Sequence, residues 1–171
     1  MKQVIESRNG AAQLVPNDSW RLINTEEELA LAPDEKLILP LSLWQLQQTE
    51  AVLAGRATSP QGIWLSPSDS EDLLQPWLKV LPLIALYFPS FRDGRPYTQA
   101  YRLRIRLGWS GELRAFGDVL RDQLSHMRQC GIDSFAIRED KSAEDALKGL
   151  AGISVLYGRS VLEPKPLFRR R

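Results

Sequence analysis

The chain has 171 residues, 43% apolar and 25% charged, which suits one globular domain with a single core. Its 22 basic and 21 acidic side chains leave a net charge of +1, which excludes recruitment of nucleic acid or membranes by a global electric field. One cysteine and one histidine exclude an intramolecular disulfide and leave too few ligands for a zinc or iron–sulfur site, so we expect no metal.

The first part of the chain predicts a β-hairpin-like arm. Residues 4–7 and 20–23 alternate apolar and polar side chains, and turn residues lie between them. Thr25 and Glu28 have the spacing of a capping box for a short helix. We assign residues 1–33 to this arm and helix, as part of the same domain as an α/β core, residues 34–158. Residues 159–171 form a basic C-terminal tail.

Strands and helices alternate along the core. Apolar runs predict strands at 37–41, 62–65, 83–88, 112–116, 134–138 and 154–157, with helices at 43–54, 71–78, 96–107, 119–129 and 143–150. Residues 102–107 also alternate as an exposed strand would, but Pro96 and Gly108 bound them as a helix. Repeated βα units predict an α/β fold with a mainly parallel sheet, either open and doubly wound or an incomplete barrel.

Binding groups in such folds gather beyond the carboxyl ends of the strands. The loops at these ends are residues 67–70, 89–95, 117–118 and 138–141, and they carry charged side chains. Arg92 and Arg95 lie in the second loop. Asp118, in the third, is expected to cap the following helix, with a role as a catalytic acid as the alternative.

The two central helices turn polar groups toward the core. Helical periodicity places Arg104 near the sheet, where it forms an ion pair with Asp118, Asp122 or Glu112 or else contacts a ligand. Gln123 projects into the apolar arc of the next helix, where it binds either a ligand or a neighbouring carbonyl group.

Three reactive side chains share one helix face. Asp122, His126 and Cys130 are spaced at i, i+4 and i+8, as a carboxylate–imidazole–thiol relay would be. The simpler interpretation, which we favour, is a lone cysteine that packs as a small apolar group. The sequence contains no G-x-G-x-x-G motif, no P-loop and no C-x-x-C, so no cofactor is expected. No signal peptide or membrane-spanning run is apparent, so we expect a cytoplasmic protein.

Residues 94–133 carry a long motif, GRPYTQA followed by GELRAFGDVLRDQL and CGID. This block resembles the signature of a small bacterial family of unknown function, whose members are encoded beside assimilatory sulfite reductase and to which an oxidoreductase role in sulfite reduction is ascribed. His126, Pro96 and Trp109 depart from the family pattern.

The resemblance implies candidate binding residues but no catalytic one. Together with the loop and helix arguments it leads to a set of eight: Arg92, Arg95, Tyr97, Gln99, Arg104, Asp118, Arg121 and Gln123. We expect these groups to converge on one face that binds sulfite reductase, its electron donor or a sulfur oxyanion, the protein being an accessory without redox chemistry. The alternative is an oxidoreductase with its pocket at the same strand ends. The sequence leaves the oligomeric state open.

Overall fold

The structure is a computed structural model that describes residues 1, 3–7, 11–30, 35–53, 61–151 and 156–170. Its strands are β1 Val4–Glu6, β2 Gln13–Val15, β3 Trp20–Leu22, β4 Lys36–Pro40, β5 Gly62–Leu65, β6 Leu83–Phe88, β7 Glu112–Gly117 and β8 Ser134–Ala136. Its α-helices are α1 Glu26–Ala30, α2 Leu41–Leu53, α3 Arg95–Ile105, α4 Leu124–Gln129 and α5 Ala143–Leu147. Within these ranges, 3₁₀ helices span Glu71–Trp77, Arg121–Gln123, Lys148–Ala151 and Leu167–Arg169.

All eight strands form one mixed sheet in the order β2-β1-β8-β7-β6-β5-β4-β3. From β3 to β8 every neighbouring pair is parallel, and the chain adds each strand beside the previous one. The hairpin of β1 and β2 closes the far edge, with β1 antiparallel to β8. This consecutive order is that of an incomplete barrel and not of a doubly wound sheet, in which the strand order reverses.

The sheet is curled into a half-barrel. Eight flat strands spaced ~4.8 Å apart would separate the edge strands β2 and β3 by ~34 Å. The chain, however, passes from Val15 at the end of β2 to Trp20 at the start of β3, and five residue steps reach at most ~18 Å. The two edges therefore lie close together, and the sheet has a concave face.

Alternating side chains build a separate cluster on each face. Helix residues such as Trp44, Leu103 and Leu124 pack with Ile84 and Phe135 on the convex face, in the larger core. The concave face holds a smaller cluster to which all eight strands contribute: Val4, Val15, Trp20, Leu22, Ile38, Trp64, Leu83, Ala85, Tyr87, Phe116 and Ala136, with Met1 beside them. Side chains from both edges meet there because the sheet curves around them.

Several predicted elements differ from the structure. Residues 4–7 were expected to pair within an arm that includes residues 20–23, but β1 pairs with β2, and β3 lies at the opposite edge beside β4. In place of the helix predicted at residues 71–78, Glu71–Trp77 form a 3₁₀ helix that contains Pro76, because a proline cannot donate an α-helical hydrogen bond. The expected strand at 154–157 falls partly outside the described residues, and Leu156 and Tyr157 are not in a strand.

Candidate site at the carboxyl ends of β7 and β8

Arg114 places a buried charge on the concave face. It alternates with Leu113 and Ala115, which pack in the convex core, so its side chain points inward, where it is only 3% exposed. Its guanidinium donates two hydrogen bonds to the carboxylate of Asp18, at 2.8 and 3.0 Å, and two to Oε1 of Glu112, at 2.7 and 3.1 Å. Arg114, Asp18 and Glu112 therefore each have a partner of opposite charge, as a buried ion requires.

Asp18 belongs to the short segment that joins the sheet edges. This segment, residues 16–19, leaves β2 at the carboxyl end of the sheet and enters β3 at the amino end, so it crosses the concave face. Burial alone would raise the pKa of Asp18, but hydrogen bonds and charge from Arg114 and the N-terminal amine outweigh it and lower the pKa. The ion pair thus fastens the crossing segment inside the half-barrel.

A pocket of about 540 Å³ opens at the carboxyl ends of β7 and β8. Its walls are formed mainly by Met1, Leu22, Phe116, Gly117, Ala136 and Ile137, and its charged side chains are those of Arg138, Glu139 and Asp140. The N-terminal amine of Met1 is a further charge and is paired with Asp18. Phe116 and Ala136 are less than 10% exposed, whereas Glu139 and Asp140 are exposed, so the charges form the rim. This location is the one at which α/β sheets commonly hold ligands.

Arg138 is fixed at that rim by two carboxylates. Its Nε and Nη2 donate to the two oxygens of Asp140 at 2.6 and 2.9 Å, and its Nη1 donates to Oδ1 of Asp118 at 2.7 Å. These hydrogen bonds, the one to Asp140 first, raise the pKa of Arg138 and hold the pKa of Asp140 below its ordinary value. The two charges therefore remain paired throughout the neutral range.

The loop between β6 and α3, residues 89–94, lies beside the same rim and has a well-defined backbone. The amide of Phe91 donates to Oδ2 of Asp118 at 2.7 Å, and that of Asp93 donates to the carbonyl of Ser90 at 3.0 Å. At the end of the loop the amide of Arg95 donates to Oδ1 of Asp93 at 3.1 Å. Phe91 is nevertheless 48% exposed, so a loop with a hydrogen-bonded backbone presents an aromatic side chain to solvent.

Three of the predicted site arginines are held by carboxylates of the chain. Arg95 binds Asp93 at 2.7 Å and Arg121 binds Asp145 at 3.1 Å, both at exposed positions. Arg104 is 10% exposed and forms an ion pair at 2.9 Å with Asp133. The expected partners of Arg104 were wrong, because the CGID turn brings Asp133, distant in sequence, against α3.

Asp118 does not cap a helix, contrary to our expectation. Gly117 adopts a φ of +98° and turns the chain, and the first helical residue after it is Arg121, whose N-cap is Leu120. The Asp118 carboxylate instead bridges the amide of Phe91 and the guanidinium of Arg138. Of the eight predicted residues, Asp118 is therefore one that bonds to a lining residue of the pocket, Arg138.

The predicted amide and phenol groups lie in two places. Tyr97 packs edge-on against Phe88 and lies 4.8 Å from the His126 ring, and burial raises its pKa although the nearby Gln123 amide opposes that rise. Gln123 is buried, and its Oε1 accepts from the amide of Leu120 at 2.9 Å. Gln99 is elsewhere: its Nε2 donates to the carbonyls of Ser66 and Asp69, both at 2.9 Å.

The Asp122, His126 and Cys130 side chains are arranged as packed helix residues and not as a proton relay. Cys130 Sγ lies 4.0 Å from Nε2 of His126, which is a weak contact. Burial raises the pKa of the Cys130 thiol to about 11, so the thiol is protonated at neutral pH. Among the described residues, no group of three or more His, Cys, Asp and Glu side chains is arranged to hold a metal ion.

Sequence reasoning missed the residues that build the pocket rim and the concave cluster. The loop at residues 138–141 was recognised as a strand end, but Arg138, Glu139 and Asp140 were not selected from it. Arg114 carried a signal of its own, since a charged residue in the middle of an apolar strand must face either solvent or a buried partner. Only the curl of the sheet decides between the two.

Comparison with known families identifies the chain. A model described as a bacterial protein of unknown function (DUF934) matches residues 62–168, well over half of the sequence. The chain belongs to this family. No curated protein matches it. The DUF934 region begins at β5 and includes the β6–α3 loop, β7, β8 and the pocket rim, whereas β1 to β4 precede it. Of the described helices, none combines the length and apolar character needed to cross a membrane.

Proposed function

We propose that this protein is an accessory protein of sulfite reduction that docks on sulfite reductase through the β6–α3 loop and performs no redox step itself. The link to sulfur metabolism rests on the resemblance of residues 94–133 to proteins encoded beside assimilatory sulfite reductase. The docking surface rests on the geometry of the loop, and above all on the exposed Phe91.

Phe91 has the properties of an interface anchor. Its backbone amide is held by Asp118, so little backbone conformational entropy is lost when its ring enters a socket on a partner. Arg92 and Arg95 follow it in the sequence and are exposed, the Arg95 side chain by 62%. Aromatic and arginine side chains contribute much of the binding energy in many interfaces. The complementary surface is an apolar socket bordered by carboxylates.

Partner binding is better supported than capture of a free sulfur oxyanion. Arg95, Arg104 and Arg121 are each bonded to a carboxylate of the chain, which a small anion would have to displace. A protein surface need not displace these carboxylates, because it contacts the aromatic ring and the outer guanidinium edges together.

The alternative is an oxidoreductase that uses the pocket at the ends of β7 and β8. Its location and its volume of about 540 Å³ are typical of enzyme sites, which favours this second candidate. The Arg138–Asp140 ion pair at the pocket rim weighs against an oxidoreductase. The pKa of Arg138 is raised and that of Asp140 is lowered, away from the near-neutral values that proton transfer requires.

Calorimetric titration of sulfite reductase from the same bacterium with the purified chain tests the docking proposal. We expect a complex that Phe91→Ser weakens by at least about tenfold, as for an anchor residue. Leu46→Ser is the matched control, since Leu46 is 57% exposed on α2, and it should change affinity less than about twofold. The absence of a complex, or equal effects of the two substitutions, would contradict the proposal.

A further inference from the structure

We infer that the pocket at the carboxyl ends of β7 and β8 is a binding site for a small organic cation, an ammonium group carried on an aromatic or aliphatic body. This site is separate from the docking role proposed for the β6–α3 loop and does not depend on it. The inference stands on the size of the cavity, the chemistry of its walls and the balance of charge at its rim.

The walls suit an apolar body. A volume of about 540 Å³ lies within the ~300–1,000 Å³ of small-molecule sites. Phe116 supplies an aromatic wall and packs against Tyr87 at 5.1 Å and Trp64 at 5.8 Å between ring centroids, so its position is fixed from behind. Ala136 is small enough to leave the space beside the ring open. A bound ring or chain would contact these side chains in place of water.

The rim selects the sign of the charge. The charged groups of the lining and their direct partners are the N-terminal amine of Met1, Arg138 and Lys141 against Asp18, Asp118, Glu139 and Asp140, three positive and four negative. Arg138 is already bonded to Asp118 and Asp140, so its charge is compensated. Among the residues that the structure describes, Glu139 has no ion-pair partner. An ammonium group would find this carboxylate beside the Phe116 ring, whereas an oxyanion would meet excess negative charge.

Gly117 keeps the pocket wall in place. Its φ of +98° is favourable for glycine alone, and a Cβ atom there would lie 2.3 Å from the carbonyl oxygen of Phe88. The turn that this glycine permits directs Asp118 to Arg138 and thereby positions the rim. The cavity is therefore built by residues whose conformations are individually constrained, as a ligand site requires.

Three matched probes test the inference: phenethylammonium, phenethyl alcohol and hydrocinnamate share a phenyl ring and an ethylene chain and differ in charge. Saturation-transfer NMR and amide chemical-shift titration of the whole chain report binding. We expect phenethylammonium to bind about fivefold or more tightly than hydrocinnamate, with the alcohol between them, and to shift the amides of Phe116, Gly117 and Ala136.

Two substitutions separate charge from shape. Glu139→Gln should weaken the binding of phenethylammonium about fivefold and leave the binding of the alcohol unchanged. Glu27→Gln, at an exposed position on α1, should change the binding of neither probe. Leu22→Trp should fill the pocket and abolish binding of all three probes while the amide spectrum remains that of a folded chain. The inference is overturned if no probe binds at millimolar concentration, if hydrocinnamate binds as tightly as phenethylammonium, or if Glu139→Gln and Leu22→Trp have no effect.

Discussion

Arg104 offers the sharpest test of a structural role against a ligand-binding one. Its guanidinium donates to the carbonyls of Gly131 at 2.9 Å, Trp109 at 2.9 Å and Gly111 at 2.8 Å, and to Oδ2 of Asp133 at 2.9 Å. The side chain is 10% exposed and lies over the Trp109 ring at 5.3 Å. One residue therefore joins the end of α3, the approach to β7 and the turn before β8.

Arg104→Met would keep the packing volume and remove every donor. Breaking a buried ion pair by removing one partner costs ~3–5 kcal/mol, and for a chain of this length each kcal/mol lowers Tm by ~2–4 °C. We therefore expect a loss of ~3–5 kcal/mol in the free energy of unfolding, with a fall in Tm of roughly 10 °C. Urea and thermal unfolding measure both.

The control is Arg106→Met on the same helix. Arg106 is 57% exposed and contacts Asp72 only at 3.5 Å, so its loss should cost less than ~0.5 kcal/mol. Should Arg104→Met fail to fold, Arg104→Lys can replace it, because lysine retains the charge without the planar guanidinium. Its loss of unfolding free energy should lie between the losses expected for Arg104→Met and Arg106→Met. An Arg104→Met protein within ~1 kcal/mol of the wild type would refute this account of the residue.

Three further outcomes are expected. Asp18 has a lowered pKa in the folded chain, so its contribution to stability is present above an unfolded pKa of ~3.9 and lost as the pH falls through the lower folded value. In urea unfolding, the difference in the free energy of unfolding between wild type and Asp18→Asn should be largest at pH ~7 and shrink below pH ~4, and a difference independent of pH would contradict this. Cys130, with a pKa of about 11, should react with iodoacetamide at pH ~8 roughly 100-fold more slowly than an exposed peptide cysteine, and an equal rate would refute its burial. Gly117→Ala should destabilise the chain by more than ~2 kcal/mol because the new Cβ meets the Phe88 carbonyl, whereas Gly108→Ala, at φ +66° with open space around it, should cost ~1 kcal/mol. Similar losses for the two variants in denaturant unfolding would contradict the steric argument.

Local signals in the sequence predicted the central elements well. The runs at 62–65 and 83–88 match β5 and β6 because a continuous apolar stretch bounded by turn residues has few other conformations available. The helical assignment of residues 102–107 was correct as far as Ile105, since Pro96 lies in the first turn of α3 and Gly108 follows its end with a positive φ. A short-range rule sufficed in each case.

Long-range pairings escaped prediction for a physical reason. β2 has three residues, too few for a periodic signal, and its place beside β1 follows from pairing that also joins Val4 to Ala136, distant in sequence. Asp118 precedes a helical segment, which suggested a cap, but the backbone of Gly117 turns its carboxylate toward another loop. The candidate site depends on contacts of this kind, so the sequence indicated the end of the sheet at which the pocket opens but not the residues that form its rim.

The most direct test of the accessory role is sulfite-dependent oxidation of a reduced viologen dye, measured with the purified chain alone, with sulfite reductase alone and with both together. We predict no turnover by the chain alone and a changed rate or donor KM when it is added to the reductase, an effect that Phe91→Ser removes. Sustained sulfite-dependent oxidation by the wild-type chain alone would contradict this account and establish it as an oxidoreductase.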